Sequence, residues 1–238
     1  MNLRTDNLSF RYKTQPVLEE IQLELHSGEF LFLLGASGAG KTTLLKLLAG
    51  LIQPTEGRVL LDGQEIGSLP ARMRATRVGL MLQDAVPPFD YTAEEFVLFG
   101  RTARLPRFSA PSAQDWKAVH DALAAVKMEW GAKRKVDAFS GGEFQRLRLA
   151  SLLALDSEVL LLDEPFSSQD PAQTDSILRL LQALARQGKI VLLTTHLLSA
   201  AEKYATRVLL MADHRIFADG TPKELLTPQN YQKLYGIW

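Results

Sequence analysis

Gly35-Ala36-Ser37-Gly38-Ala39-Gly40-Lys41-Thr42 decides how this chain is built. The run G-x-x-x-x-G-K-[ST] stands directly after an apolar stretch, residues 30–34, and directly before a leucine-rich one, residues 43–49. Strand, loop and helix in that order are what a phosphate-binding loop requires. Its glycines let the backbone curl until successive N–H groups point inward at phosphate oxygens, and the helix N-terminus adds partial positive charge. Lys41 can then reach the outer phosphates of a nucleotide, while the Thr42 hydroxyl can ligate magnesium. Gly35, Ser37, Gly38, Ala39, Gly40, Lys41, Thr42 and Thr43 are the expected phosphate-side residues.

Upstream of the loop, Ile21, Leu23 and Leu25 alternate with Gln22 and Glu24, as half-buried antiparallel strands do. Downstream, Val59 and Leu61 read as another such strand, closed by an Asp62-Gly63 turn. Residues 78–82 form a short apolar strand ending at Gln83. The texture then changes. Prolines at 87–88 and between 106 and 111 bracket material rich in Ala, Glu and Phe, and residues 115–128 have a helical period. Residues 84–156 are therefore expected to be a helical insertion.

Strand character returns at 159–162, a continuous apolar run typical of a parallel strand covered on both faces. A helix follows with Ile177, Leu180, Leu181 and Leu184 on one stripe, ended by Gln187-Gly188. Next come a strand at 190–193, a helix at 197–204, a strand at 208–211, an Asp213-His214 turn and an antiparallel return at 216–218. Thr221-Pro222-Lys223-Glu224 has the form of a capping box with Pro at the first helical position, expected to open the last helix. The expected fold is α/β: a phosphate-loop NTPase (RecA-like) parallel sheet with an antiparallel β part and an inserted helical subdomain. One domain, 1–238, would divide into a nucleotide-binding core at 1–83 and 157–238 and the helical subdomain at 84–156.

Composition narrows the partners. The chain has 238 residues, 46% hydrophobic and 23% charged, so it can bury a full core. Its net charge is zero, which gives nucleic acid no basic surface to hold; the clusters Arg72, Arg74, Arg77 and Lys133 to Lys135 read as solvated faces. Cysteine is absent, excluding disulfides and thiolate metal sites. No apolar run approaches a membrane span, so a cytoplasmic location is expected, with any membrane role reached through a partner.

Ligands of parallel sheets bind at the carboxyl ends of the strands, and several polar residues fall there. Asp163 and Glu164 close the 159–162 strand; Asp163 is placed to hold magnesium, and Glu164 to polarise an attacking water. His196 ends the next strand, where a γ-phosphate should lie, and Gln83 ends another, within reach of the metal or the water. Tyr12 can stack on an adenine ring or simply pack. Ser140-Gly141-Gly142-Glu143 combines a capping box with two glycines at a helix start. It is either an ordinary capped helix or a second anion site, and the latter would serve a nucleotide held by another copy.

Taken together these residues resemble an ATP-binding cassette ATPase over essentially the whole chain. Tyr12 is similar to the family's adenine-stacking aromatic, residues 35–42 to its phosphate loop, Gln83 to its glutamine loop, and residues 139–145 to its signature. Residues 159–164 resemble its second acidic motif, 167–170 its D-loop, and His196 its switch histidine. The resemblance implies ATP and Mg2+ as ligands and head-to-tail dimers sandwiching two ATP molecules. Glu164 would be the general base; Lys41, Gln83 and His196 would complete the catalytic group; Thr42, Gln83 and Asp163 would form the metal site. Ser140, Gly141, Gly142 and Glu143 would contact the opposite ATP, and Asp170 would join the two sites. Glu143 stands where the family's pattern has Gln, Phe139 where it has Leu, and Gln169 where an aliphatic residue is commoner.

Residues 90–101 and 115–128 look like importer ATPases for iron-siderophore, haem or cobalamin. Zinc and manganese importers, or an exporter or lipid-transport system, are the alternatives. The partners implied are a second copy, a membrane permease and, through it, an extracytoplasmic solute-binding protein. Phe89, Tyr91, Phe96 and Phe99 would either receive a permease helix or form the insertion's own core.

Overall fold

Strands whose side chains alternate between two covered faces organise the molecule. The computed structural model describes residues 1–83, 90–105, 110–166 and 170–235. The strands are β1 (Asn2–Tyr12), β2 (Gln15–His26), β3 (Phe30–Gly35), β4 (Glu56–Leu61), β5 (Gln64–Glu65), β6 (Val78–Met81), β7 (Val159–Asp163), β8 (Ile190–Thr194), β9 (Arg207–Ala212) and β10 (Arg215–Gly220). The α-helices are α1 (Lys41–Leu48), α2 (Ala71–Arg77), α3 (Ala93–Phe99), α4 (Ala113–Ala125), α5 (Gly141–Ala154), α6 (Pro171–Arg186), α7 (Leu198–Tyr204), α8 (Pro222–Leu225) and α9 (Pro228–Tyr235).

The larger sheet runs β10-β9-β3-β8-β7-β6, parallel except for the antiparallel edge strand β10. Along β3, Phe30, Phe32 and Leu34 face one apolar core with the helices α3 to α6, while Leu31 and Leu33 face a second core with α1 and the antiparallel sheet. Residues 159–162, 190–193 and 208–211 alternate in the same way. This double burial explains why these strands read as unbroken apolar runs. Each fully buried Leu or Phe contributes about 2 kcal/mol of transfer free energy.

The smaller sheet, β2-β1-β4-β5, is antiparallel and half covered, as the alternation at 21–25 predicts. Asp62 and Gly63 both take positive φ in the β4–β5 turn, and Asp213 and His214 do so between β9 and β10. Such left-handed pairs match the twist of a two-residue hairpin.

The helices α3, α4 and α5 each open with a reciprocal capping box: Thr92 with Glu95, Ser112 with Asp115, and Ser140 with Glu143. Arg101 links all three. Its guanidinium donates through Nε and Nη2 to Asp115 Oδ1 at 2.9 and 2.8 Å, and through Nη1 to the Ala154 carbonyl at 2.7 Å. Their apolar faces belong to the same core as β3, β7 and β8.

Three local expectations need correction. The Thr221–Glu224 box exists but opens only the four-residue α8; the last helix is α9, begun after Leu226 and Thr227 leave helical geometry. The buried stripe of α6 is Thr174, Ile177, Leu178, Leu181 and Ala185, with Leu180 and Leu184 partly buried on its margin. The stretch before α7 is not helical until Leu198, since Leu197 is its N-cap.

Candidate functional site

Parallel register brings the polar strand ends to one edge. Asp163 of β7 pairs with Thr194 of β8, and Gly35 of β3 pairs with Met211 of β9. A cleft of about 610 Å³ opens there, lined by Ser37, Gly38, Gly40, Lys41, Thr42, Thr43, Gln83, Asp163, Glu164, Thr195 and His196, with Val17, Phe166 and Leu197 as apolar walls.

Glycine is required at both ends of the loop for different reasons. At Gly35 a Cβ would stand 2.5 Å from the Met211 carbonyl oxygen, so β9 could not pass so close. Gly40 has φ +103 and would also meet the Val17 carbonyl at 2.8 Å. From Gly40 the chain enters α1 with no side-chain cap, leaving the first helical N–H groups turned to the cleft. Ala39 is half-buried against the core beneath the loop.

Lys41 is buried, and its ammonium donates to the loop's own carbonyls, Gly35 O at 2.7 Å and Ala36 O at 3.0 Å. Burial lowers its pKa from the ordinary lysine value, while the nearby Glu164 and Asp163 carboxylates pull it back up. Across the cleft, Thr42 Oγ1 donates to Asp163 Oδ2 at 2.6 Å and Thr194 Oγ1 donates to Asp163 Oδ1 at 2.7 Å. The Glu164 N–H in turn donates to Thr194 Oγ1 at 2.9 Å.

Glu164 leaves the strand in the left-handed region, φ 47, a conformation that costs a non-glycine residue about 1 kcal/mol. Its side chain lines the cleft. His196 Nε2 lies 3.1 Å from Glu164 Oε1. Yet Oε1 is buried and receives no aligned hydrogen bond. Burial pushes the Glu164 carboxyl above its usual range and the Asp163 charge adds to that, against opposing pulls from His196 and Lys41. The site thus groups a cation, a hydroxyl–carboxylate pair and a raised carboxyl beside an imidazole.

Other expected residues lie elsewhere. Tyr12 is 51% exposed at the β1–β2 hairpin, edge-on to Phe10 at 4.8 Å, outside the cleft lining although Val17 of β2 is part of it. Ser140, Gly141, Gly142 and Glu143 start α5 away from the lining, and the Glu143 carboxylate turns back to accept from Ser140 N–H and Oγ, both at 2.8 Å. Those bonds hold its pKa below the ordinary value. Asp170 is the N-cap of α6, accepting from Gln173 N–H at 2.9 Å. Ser167, Ser168 and Gln169 of the D-loop-like run lie outside the described residues, as does Phe89. Tyr91 and Phe99 form an exposed edge-to-face pair at 4.7 Å, whereas Phe96 packs into the core near Phe144.

Sequence reasoning missed Thr194, which joins Asp163 to Glu164, and Arg148, and it took Gln145 only as the end of the signature-like run. Arg148 is buried on α5 and donates to Gln145 Oε1 and the Gln83 carbonyl, both at 2.8 Å, and to the Leu82 carbonyl. Gln145 reaches the Glu164 carbonyl at 3.4 Å. The helix beginning at the signature-like run is thereby tied to two cleft residues. A Gln and an Arg three apart on a helix otherwise buried in leucine and alanine were the available signal, because buried charge demands partners.

The profile of the ABC transporter family matches residues 18–167. The hemin import ATP-binding protein HmuV of Pseudomonas aeruginosa is 40% identical over 240 residues, covering 99% of this chain and 92% of its own. An inward-facing putative metal-chelate type ABC transporter superposes with a TM-score of 0.85 at 30% identity, over 99% of this chain and 89% of the other. The dimeric, post-hydrolysis ATP-binding cassette MJ0796, bound to ADP and Pi, gives 0.84 at 26% identity, over 92% of this chain and 98% of the other. With its phosphate loop, paired acidic residues and histidine around one cleft, the chain belongs to the ABC transporter family as an ATP-binding ATPase.

Proposed function

We propose that the chain works as a head-to-tail pair energising a separate permease, and that its cargo is haem, an iron-siderophore or a related metal chelate. The loop and α1 hold the phosphates, with Lys41 leaving the Gly35 and Ala36 carbonyls for the outer phosphate oxygens. Glu164, whose carboxyl is raised by burial, orients and deprotonates the attacking water, and His196 and Gln83 read the γ-phosphate. Ser140, Gly141, Gly142 and the α5 N-terminus address the ATP held by the other copy, Asp170 at the start of α6 helps join the two sites, and the exposed Tyr12 stacks on the adenine ring.

Thr42 and Asp163 offer hard oxygen ligands suited to magnesium, with Gln83 at the rim. These protein oxygens are too few to enclose an ion, so phosphate oxygens and water would complete its shell. When bound, magnesium neutralises charge on the β- and γ-phosphates. The exposed Tyr91 and Phe99 pair, at and just before α3, offers a face for the permease, which would hold the chain at the inner side of the membrane. No described helix is long and apolar enough to cross it. Kinship with a hemin import protein and likeness to a metal-chelate transporter support the cargo. Among the cargo partners an extracytoplasmic binding protein would deliver to the permease.

The observation that carries the reading is the Thr42–Asp163–Thr194 bridge beside Lys41 and the Glu164–His196 pair. The test is Glu164→Gln sized with and without ATP and assayed for phosphate release. We expect an ATP-dependent dimer that binds ATP but hydrolyses it a hundredfold or more slowly, on the order of a lost general base. A monomer under both conditions, or undiminished hydrolysis, would sink it.

A further inference from the structure

Two buried polar atoms among the described residues have no hydrogen-bond partner, Glu164 Oε1 and the Tyr235 hydroxyl. They belong to one neighbourhood. Tyr235 is the last described residue of α9, which packs on β3 and β9 with Leu234 buried in the core. Its ring lies 6.4 Å from the His196 ring, centroid to centroid, tilted by 54°. His196 in turn stands 3.1 Å from Glu164 Oε1. Burial, and then the Glu164 charge, raise the phenol's pKa, so it stays a donor at neutral pH.

An unmet buried donor and an unmet buried acceptor each cost free energy, and a hydrogen bond between them would relieve both. One is a carboxylate that must be aimed to act; the other is a phenol on a helix anchored by Leu234. We propose that Tyr235 is a positioning residue of the hydrolytic centre: its ring backs the His196 imidazole, and its hydroxyl donates to Glu164 when the site closes on ATP. The C-terminal helix then takes part in setting the angle at which Glu164 meets water. This rests on the roles proposed above for Glu164 and His196.

The test uses the full chain assembled with its permease. Tyr235→Phe keeps the ring and removes the donor. The expected result is a kcat for ATP hydrolysis lower by about tenfold, the scale of one hydrogen bond lost from an aimed group. KM for ATP and the melting temperature stay within twofold and 2 °C or so of the parent, roughly the limits for an unchanged core. In a His196→Ala background, single-turnover rates should fall by less than about twofold on adding Tyr235→Phe, because coupled residues are not additive. Unchanged kcat in Tyr235→Phe, or the same fold-loss with and without His196, overturns the proposal. Failure of the underlying reading is separate and shows itself as retained hydrolysis in Glu164→Gln.

Discussion

The phosphate cleft and the signature-like start of α5 use the same device, a helix N-terminus, and leave it in opposite condition. At α1 no side chain caps the helix, Lys41 donates to carbonyls of its own loop, and the half-buried Glu164 has a buried oxygen without a hydrogen bond and a strained backbone. At α5 the Ser140 hydroxyl and Glu143 carboxylate close a complete capping box on the surface. Within the cleft Thr42, Asp163 and Lys41 bond one another or their own loop, and Glu164 Oε1 alone of the buried side-chain polar atoms described there is left without a hydrogen bond. In the proposed pair the α5 start would serve a second copy, and its complete capping box makes it stable by itself beforehand. The contrast separates residues that fold the chain from residues kept for a ligand.

Substitutions can break or sharpen that contrast, the largest effect first. Lys41→Ala should lower ATP affinity by two orders of magnitude or more, about 3 kcal/mol, because a charge-assisted contact to the outer phosphates is lost. Equilibrium binding of a fluorescent ATP analogue measures it, and unchanged affinity would mean that the ammonium stays on Gly35 and Ala36. Melting temperature should barely move, since the side chain holds only its own loop.

Asp115→Ala should do the reverse, sparing ATP affinity while destabilising the chain by about 3 kcal/mol, the cost of leaving buried Arg101 unpaired. Hydrogen bonds from Ser112, then Arg101, hold the Asp115 carboxyl down at about 2. The unfolded value lies higher, near about 3.9. The stabilisation is therefore fully present above pH 4 or so and is lost as pH falls through about 2. Denaturant titrations of parent and variant should accordingly converge in acid and differ at neutral pH; a gap that widened in acid would contradict the pairing.

Thr194→Val removes the hydroxyl between Asp163 and the Glu164 N–H at nearly constant volume. A loss of about 1–2 kcal/mol in stability is expected, with slower hydrolysis, since a buried N–H and carboxylate oxygen lose a partner. Glu143→Gln should change least. Gln can also serve in the box, so stability should shift by less than about 0.5 kcal/mol. If hydrolysis and ATP-driven pairing are likewise unaltered, the carboxylate stays folded on the cap and does not face the second copy's phosphates.

Much of this was legible before folding. Residues 35–42 announced a phosphate loop because its conformation needs glycine at fixed places and its charge must follow at a fixed step. The runs at 159–162 and 190–193 announced doubly covered strands because burial on both faces removes polar alternation. Asp163, Glu164 and His196 were found since parallel strands end on one edge, so a polar residue closing an apolar run is conspicuous. Less legible were features set by rotation about an element. The buried face of α6 centred on Ile177, Leu178 and Leu181 and left Leu180 and Leu184 partly buried at its margin, and the Thr221 box capped one turn instead of the last helix.

By itself the sequence determined the strand–loop–helix unit, the order of the elements and the chemistry available at strand ends, because these follow from local backbone preference and residue type. Only the tertiary structure decided that Thr194 bridges Asp163 and Glu164, that Arg148 ties α5 to Gln83, and that Tyr235 comes beside His196. Those pairings join residues 30 to 65 positions apart. They depend on strand register and helix packing, which no local pattern encodes.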